Sequence, residues 1–325
     1  MKSLAVAAAL AATSFLHVAD ANADTGRSAA DWLERIYSAS KSLSYRGTFV
    51  YQHGEDVETS RITRVVDTDG VHERLEALDG TPREIIRAND EVRCYLPATM
   101  TVKVERGVSA TPFSLQHADI KAIGGYYDIR MGRLERTAGR DCQAILLVPK
   151  DNLRYGHKLC ADVDTGLLVT STAFNVRGNM VERFSFTQLT IGGPIDKDLL
   201  RSRYTSTNQA WHVEDHAAAT VPLDELGWKI NALPPGFRRV TVLKRDAGSG
   251  HAVGQIVVSD GLAAVSIFIE PLAVTTHIPR PGLSHRGAVN IYSRKVDQHA
   301  ITAVGEVPAA SVRLIADAVQ RGTSR

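Results

Sequence analysis

The feature that most limits what this chain can become is a train of short β-forming runs, broken about every ten residues by turn-forming residues. The runs are Tyr45 to Gln52, Arg61 to Asp67, Val71 to Leu78, Arg83 to Ala88, Val92 to Leu96, Thr101 to Arg106, Tyr126 to Arg136, Cys142 to Val148, Gly156 to Val163, Leu167 to Asn175 and Met180 to Leu189. Asp69-Gly70, Asp79-Gly80, Asn89-Asp90, Asp164-Thr165-Gly166 and Arg177-Gly178-Asn179 stand at the reversals, where residues tolerant of positive φ turn the backbone. Runs joined this tightly pair antiparallel, because a parallel pair needs a crossover of about a dozen residues or more. In the first run Tyr45, Gly47, Phe49 and Tyr51 share one face and Arg46, Thr48, Val50 and Gln52 the other, so the aromatic face looks inward.

Two helices interrupt the strands. Ser28 and Asp31 form a capping-box-like start, after which Trp32, Leu33, Ile36, Tyr37 and Leu43 recur at helical spacing. Pro112 to Ile123 places Phe113, Gln116, Ile120 and Ile123 on one side of a second helix. So many strands exceed a small sandwich and suit a sheet curled on itself with helices across its opening, an open antiparallel β-barrel.

Composition shifts to Ser, Thr, Asn, His and Ala over 201–220, which predicts a linker at 206–220 between an N-terminal unit, 24–205, and a C-terminal unit, 221–325. In the second unit, Val253 to Val258 and Leu262 to Ile269 read as a hairpin across Ser259-Asp260-Gly261, with Ala263, Val265, Ile267 and Ile269 on its core face. Strands Ala288 to Asp297 and Ala300 to Val307 follow. A last helix after Pro308 aligns Val312, Ile315, Ala316 and Val319. The second unit is a small α+β domain.

The first 23 residues stand apart. Met1-Lys2 is a basic start, Ser3 to Leu16 is apolar, and Ala21-Asn22-Ala23 is a small-x-small cleavage site, the layout of a secretory signal peptide. No cysteine follows for lipid attachment, so a soluble, exported, periplasmic protein is expected. No later stretch reaches the about 18–20 apolar residues of a membrane span. A net charge of +2 argues against a general nucleic-acid binder.

Three cysteines in an oxidising compartment allow one disulfide and one thiol. Cys142 and Cys160 fall in neighbouring strands and Cys94 in an earlier one, so Cys94–Cys142 and Cys142–Cys160 both stay open. We take the first as the expectation, because Cys160 sits where an apolar residue would serve.

Catalytic patterns are missing. His72-Glu73-Arg74-Leu75-Glu76 begins like a zinc-protease helix but has Glu76 where the second His belongs, on a strand-like alternation. There is no nucleophile elbow, phosphate loop or dinucleotide fingerprint. No metal or cofactor is expected, and the missing constellation does not by itself assign a function. Arg238, Arg239, Arg294 and Lys295 are candidate docking cations for an acidic peptide or lipid phosphate, against the plainer role of a solvated, aggregation-resistant edge.

Three passages, GWKINALPPGF at 227–237, SDGLAAVSIFIEP at 259–271 and RGAVNIYSRKVD at 286–297, closely resemble the C-terminal domain of the RseB/MucB family. The resemblance extends more loosely over nearly the whole mature chain. It implies a lipoprotein-carrier-like N-terminal barrel with an apolar cavity, for which Tyr45, Phe49 and Tyr51 are the candidate lining. It implies a negative regulator in the envelope stress response, one that binds the periplasmic segment of a transmembrane anti-sigma factor and protects it from regulated proteolysis. Lipopolysaccharide or other lipids are the implied release signals. The competing expectation is a periplasmic carrier of lipids or lipoproteins, since fold alone does not fix function.

Overall fold

The computed structural model describes residues 26–106, 120–204, 210–216, 218–246, 252–273 and 280–322. The expected signal segment 1–23 lies outside these residues, as does 112–119 of the expected second helix.

Helix α1 (Ala29–Ser42) starts on the capping box: the Asp31 N–H donates to Ser28 Oγ at 3.2 Å and the Ser28 N–H to Asp31 Oδ2 at 2.8 Å. Those bonds favour the ionised carboxyl and hold Asp31 below its ordinary pKa, the backbone bond from Ser28 being the larger cause. Strands β1 (Tyr45–His53), β2 (Asp56–Asp67), β3 (Gly70–Ala77), β4 (Glu84–Ala88), β5 (Glu91–Leu96) and β6 (Thr101–Arg106) follow as a meander. Helix α2 (Ile120–Tyr126) leads into β7 (Tyr127–Thr137), β8 (Arg140–Pro149), β9 (Gly156–Asp162), β10 (Leu168–Phe174) and β11 (Met180–Ile191). With β12 (His212–His216) the order in the sheet is β12-β6-β5-β4-β3-β2-β1-β11-β10-β9-β8-β7, so β1 joins the two meanders by pairing with both β2 and β11. The two ends stay unpaired to each other, which leaves the curled sheet open.

Strands β8 and β9 are buried on both faces. Ile145, Leu147, Leu159 and Ala161 pack with Trp32, Leu33 and Ile36 of α1, while Cys142, Ala144 and Cys160 pack with Phe49, Phe184 and Phe186. The aromatic alternation of β1 thus faces the core, with Phe49 only 3% exposed.

The bridge joins Cys142 to Cys160, with Cα atoms 5.4 Å apart, and corrects the expected Cys94–Cys142 pairing. The hairpin register explains it: Ala144 lies opposite Cys160, so the two cysteines are diagonal neighbours on one face of β8 and β9. Cys94 is on β5, with seven strands between it and β8, and remains a half-buried free thiol.

The stretch expected to be a linker carries strand structure. Strand β12 adds to the first sheet in parallel with β6, and β13 (Ala218–Thr220) adds to the second. The passage between sheets is therefore short. The second unit contains β14 (Trp228–Ile230), β15 (Arg238–Asp246), β16 (Ala252–Ser259), β17 (Ala264–Pro271), β18 (Gly282–Arg286), β19 (Val289–Val296), β20 (His299–Gly305), helix α3 (Ala309–Ala318) and β21 (Val319–Arg321). Its main sheet runs β13-β15-β16-β17-β20-β19-β18, and β14 pairs with β21. Val265, Ile267 and Ile269 of β17 meet Val312, Ile315 and Ala316 of α3 in one core.

Candidate functional site

The most densely bonded contact between the units centres on two side chains that are 0% exposed, those of Arg154 and Asp260. Arg154 lies in the short β8–β9 connection, and Asp260 is the middle residue of the Ser259-Asp260-Gly261 turn between β16 and β17. Asp260 Oδ1 accepts from the Leu262 and Ala263 N–H groups at 3.0 and 2.9 Å, which fixes the turn. Its Oδ2 accepts from Arg154 Nε at 2.8 Å and from the Tyr127 hydroxyl at 3.3 Å.

The guanidinium spends its other donors on Asp151 and on the Pro235 carbonyl, and lies 4.7 Å from the Tyr126 ring and 5.1 Å from the Phe237 ring. A buried charge of this kind persists only when paired and hydrogen-bonded. Gly236 lets the socket close around it: at φ +87° it suits glycine, and an added Cβ would sit 2.6 Å from Arg154 Nη2 and 2.7 Å from Tyr126 Cε2.

Around this centre the seam is continuous. Leu262 packs on the α1 cluster, the Ser311 hydroxyl donates to the Leu153 carbonyl at 2.6 Å, and Asn290 Nδ2 donates to the Tyr155 hydroxyl at 2.9 Å. Ala288 buries itself against Tyr155 and Ala173. Pro235, Gly236 and Phe237, then Asp260 and Leu262, then Ala288 and Asn290 come in turn from the three passages singled out in the sequence. Those passages are where the second unit grips the first.

Burial shifts the titration of groups beside the seam. His157 is driven down to about 4 by desolvation, against a smaller opposing pull from Asp260, so it is neutral at pH 7. Glu182 is pushed up to about 7, first by desolvation and then by the Glu306 carboxylate of the other unit, while a hydrogen bond with Tyr51 opposes the rise.

The sequence-derived candidates fall into separate places. Phe49 packs edge-on against Phe184 and Phe186, ring centroids 5.0 and 6.0 Å away, and Tyr45 and Tyr51 are half-buried at the margin of that cluster. Arg238 and Arg239 are exposed on β15, the second strand of the sheet, whereas Arg294 and Lys295 are on β19, the sixth. Four strand spacings, about 19 Å, separate the pairs, so they form no single patch. Arg294 is partly occupied within its own unit, where Nη2 donates to the Ala316 carbonyl at 2.9 Å and to Val319 O, capping the negative end of α3. Lys295 points to the opposite face and is exposed. The His72–Glu76 passage is strand β3, and its carboxylates form ion pairs on opposite faces, Glu73 with Arg64 and Arg87 and Glu76 with Arg61, Arg74 and Arg203.

Among the described residues no helix is long and apolar enough to cross a membrane. Models of the MucB/RseB N-terminal domain and of the MucB/RseB C-terminal domain match residues 28–204 and 222–320. The chain belongs to the MucB/RseB family. The sigma factor AlgU regulatory protein MucB of Pseudomonas aeruginosa is 31% identical over 299 residues, 89% of each chain. The sigma-E factor regulatory protein RseB of Escherichia coli K12 is 26% identical over 333 aligned positions, covering both chains entirely. Among solved structures, MucB in complex with MucA(peri) superposes with a TM-score of 0.68 at 30% identity, covering 91% of this chain and all of that one. MucB alone superposes with a TM-score of 0.67. In this MucB/RseB chain the Arg154 socket is what no sequence signal flagged, because one arginine in a loop has no local pattern.

Proposed function

We propose that this chain is a periplasmic regulator that binds the periplasmic segment of a transmembrane anti-sigma factor, shields it from regulated proteolysis and so represses the envelope-stress sigma factor. The observation that carries the reading is the likeness over both units to MucB, which has been solved with MucA(peri) bound. The seam at Arg154 supports it physically. Two units locked by a buried ion pair and apolar contacts offer one preorganised surface, and a disordered segment that folds on binding loses less free energy against a rigid partner.

Release by a lipid or lipopolysaccharide signal follows from linkage. A ligand that prefers the partner-free state weakens partner binding by the same factor that the partner weakens the ligand's. The Tyr45, Phe49 and Tyr51 face is the proposed acyl contact. Calorimetric titration of the mature chain with the purified periplasmic segment of its cognate anti-sigma factor tests the reading: saturable binding is expected, weakened by added lipopolysaccharide. Absence of binding contradicts it, and binding indifferent to lipid removes the release step.

A further inference from the structure

Each of the two main sheets ends in strands whose outer backbone groups have no strand neighbour among the described residues: β12 and β7 in the first, β13 and β18 in the second. Such edges are templates for an added strand, and proteins blunt those they do not use. Three of the four are blunted or unsuited. Strand β7 has a break in register between Met131 and Leu134, β12 carries Glu214 and Asp215, and β13 is three residues long.

Strand β18 differs in each respect. It pairs with β19 in unbroken register from Gly282 opposite Ser293 to Arg286 opposite Val289, and its five residues span about 17 Å. Leu283, Ser284, His285 and Arg286 are all exposed, so both faces of the strand meet solvent, and Leu283 shows 52% of its surface. From Pro271 to Val296 the sequence has no Asp or Glu, while Arg280, Arg286 and Lys295 are exposed cations. Register alternation puts Arg286 and Lys295 on one face, and Leu283 on the other beside Tyr292, over whose ring Arg313 of α3 lies at 6.0 Å.

We infer that β18 is a docking edge for an extended, acidic peptide segment, which adds to the sheet as an eighth strand and sets apolar side chains on Leu283 and carboxylates toward Arg286 and Lys295 on the opposite face. Main-chain hydrogen bonds supply affinity in this mode, and the alternating side chains supply selectivity. The inference rests on the proposed function and assigns the site at which the anti-sigma segment is held.

Amide hydrogen exchange of the mature chain, with and without the purified periplasmic segment of the cognate anti-sigma factor, tests it. Among residues 282–286, the amides that face away from β19 should slow at least tenfold on binding. Arg286→Glu with Lys295→Glu should raise Kd at least tenfold, about 1.4 kcal/mol, whereas Arg130→Glu on the β7 edge should leave it unchanged. If the segment binds and 282–286 exchange as before, the docking edge is overturned and the proposed function stands. If it does not bind at all, the proposed function falls and takes the docking edge with it. Should the double variant fold poorly, exchange on the unaltered chain decides.

Discussion

At Arg154 a single side chain carries a charge, five donors and two ring contacts, all out of water. Truncation to alanine leaves the Asp260 carboxylate buried with its counter-charge gone, a change that typically costs about 3–5 kcal/mol. Denaturant unfolding of Arg154→Ala should show a loss of that size. The double variant Arg154→Ala with Asp260→Ala should lose less than the sum of the single changes, because the two residues act as one unit. Glu182 makes a pH-dependent counterpart. Its pKa of about 7, raised from 4.5, means the folded protein holds that proton more tightly than the unfolded chain does. Folding is therefore opposed as pH rises from about 4.5, and the full penalty is present above about 7. Glu182→Gln should raise Tm at pH 8 and leave it unchanged at pH 4, and an equal rise at both would show that the carboxyl does not titrate as described. Neither residue could be found in the sequence, since the partners that decide their roles, Asp260 for Arg154 and Glu306 for Glu182, lie more than a hundred residues away.

Elements were far more legible than contacts. The capping box at Ser28, the β1 alternation, the Val265-Ile267-Ile269 core face and the α3 stripe are all local patterns, and local patterns are what period and propensity report. Register is not local. Placing Cys142 and Cys160 in neighbouring strands left open whether they met, and only the two-residue offset that sets Ala144 opposite Cys160 brings them together. Labelling of the denatured, unreduced protein should find one thiol, on Cys94, and any other count contradicts the pairing. Closing a loop of 18 residues, the bridge should contribute about 3 kcal/mol in the chain-entropy account. Strand parity likewise separates Arg294 from Lys295: one cation is spent on the end of α3, and its neighbour stays in solvent.

The two main sheets join at a seam built from the passages that carried the family resemblance. The composition shift after residue 200 predicts a linker, yet the same polar residues form β12 and β13 because each finds an open sheet edge to pair with. Tertiary pairing overrides weak propensity there. The seam turns two modest surfaces into one, and the proposed function requires such a surface to mask a flexible segment from proteases. The direct test is the rate at which the membrane-anchored anti-sigma factor is cut by its envelope protease in a reconstituted system, with and without the mature chain. Saturating chain should slow cleavage at least tenfold and lipopolysaccharide should restore it, whereas an unchanged cleavage rate with the chain bound would contradict the regulatory role.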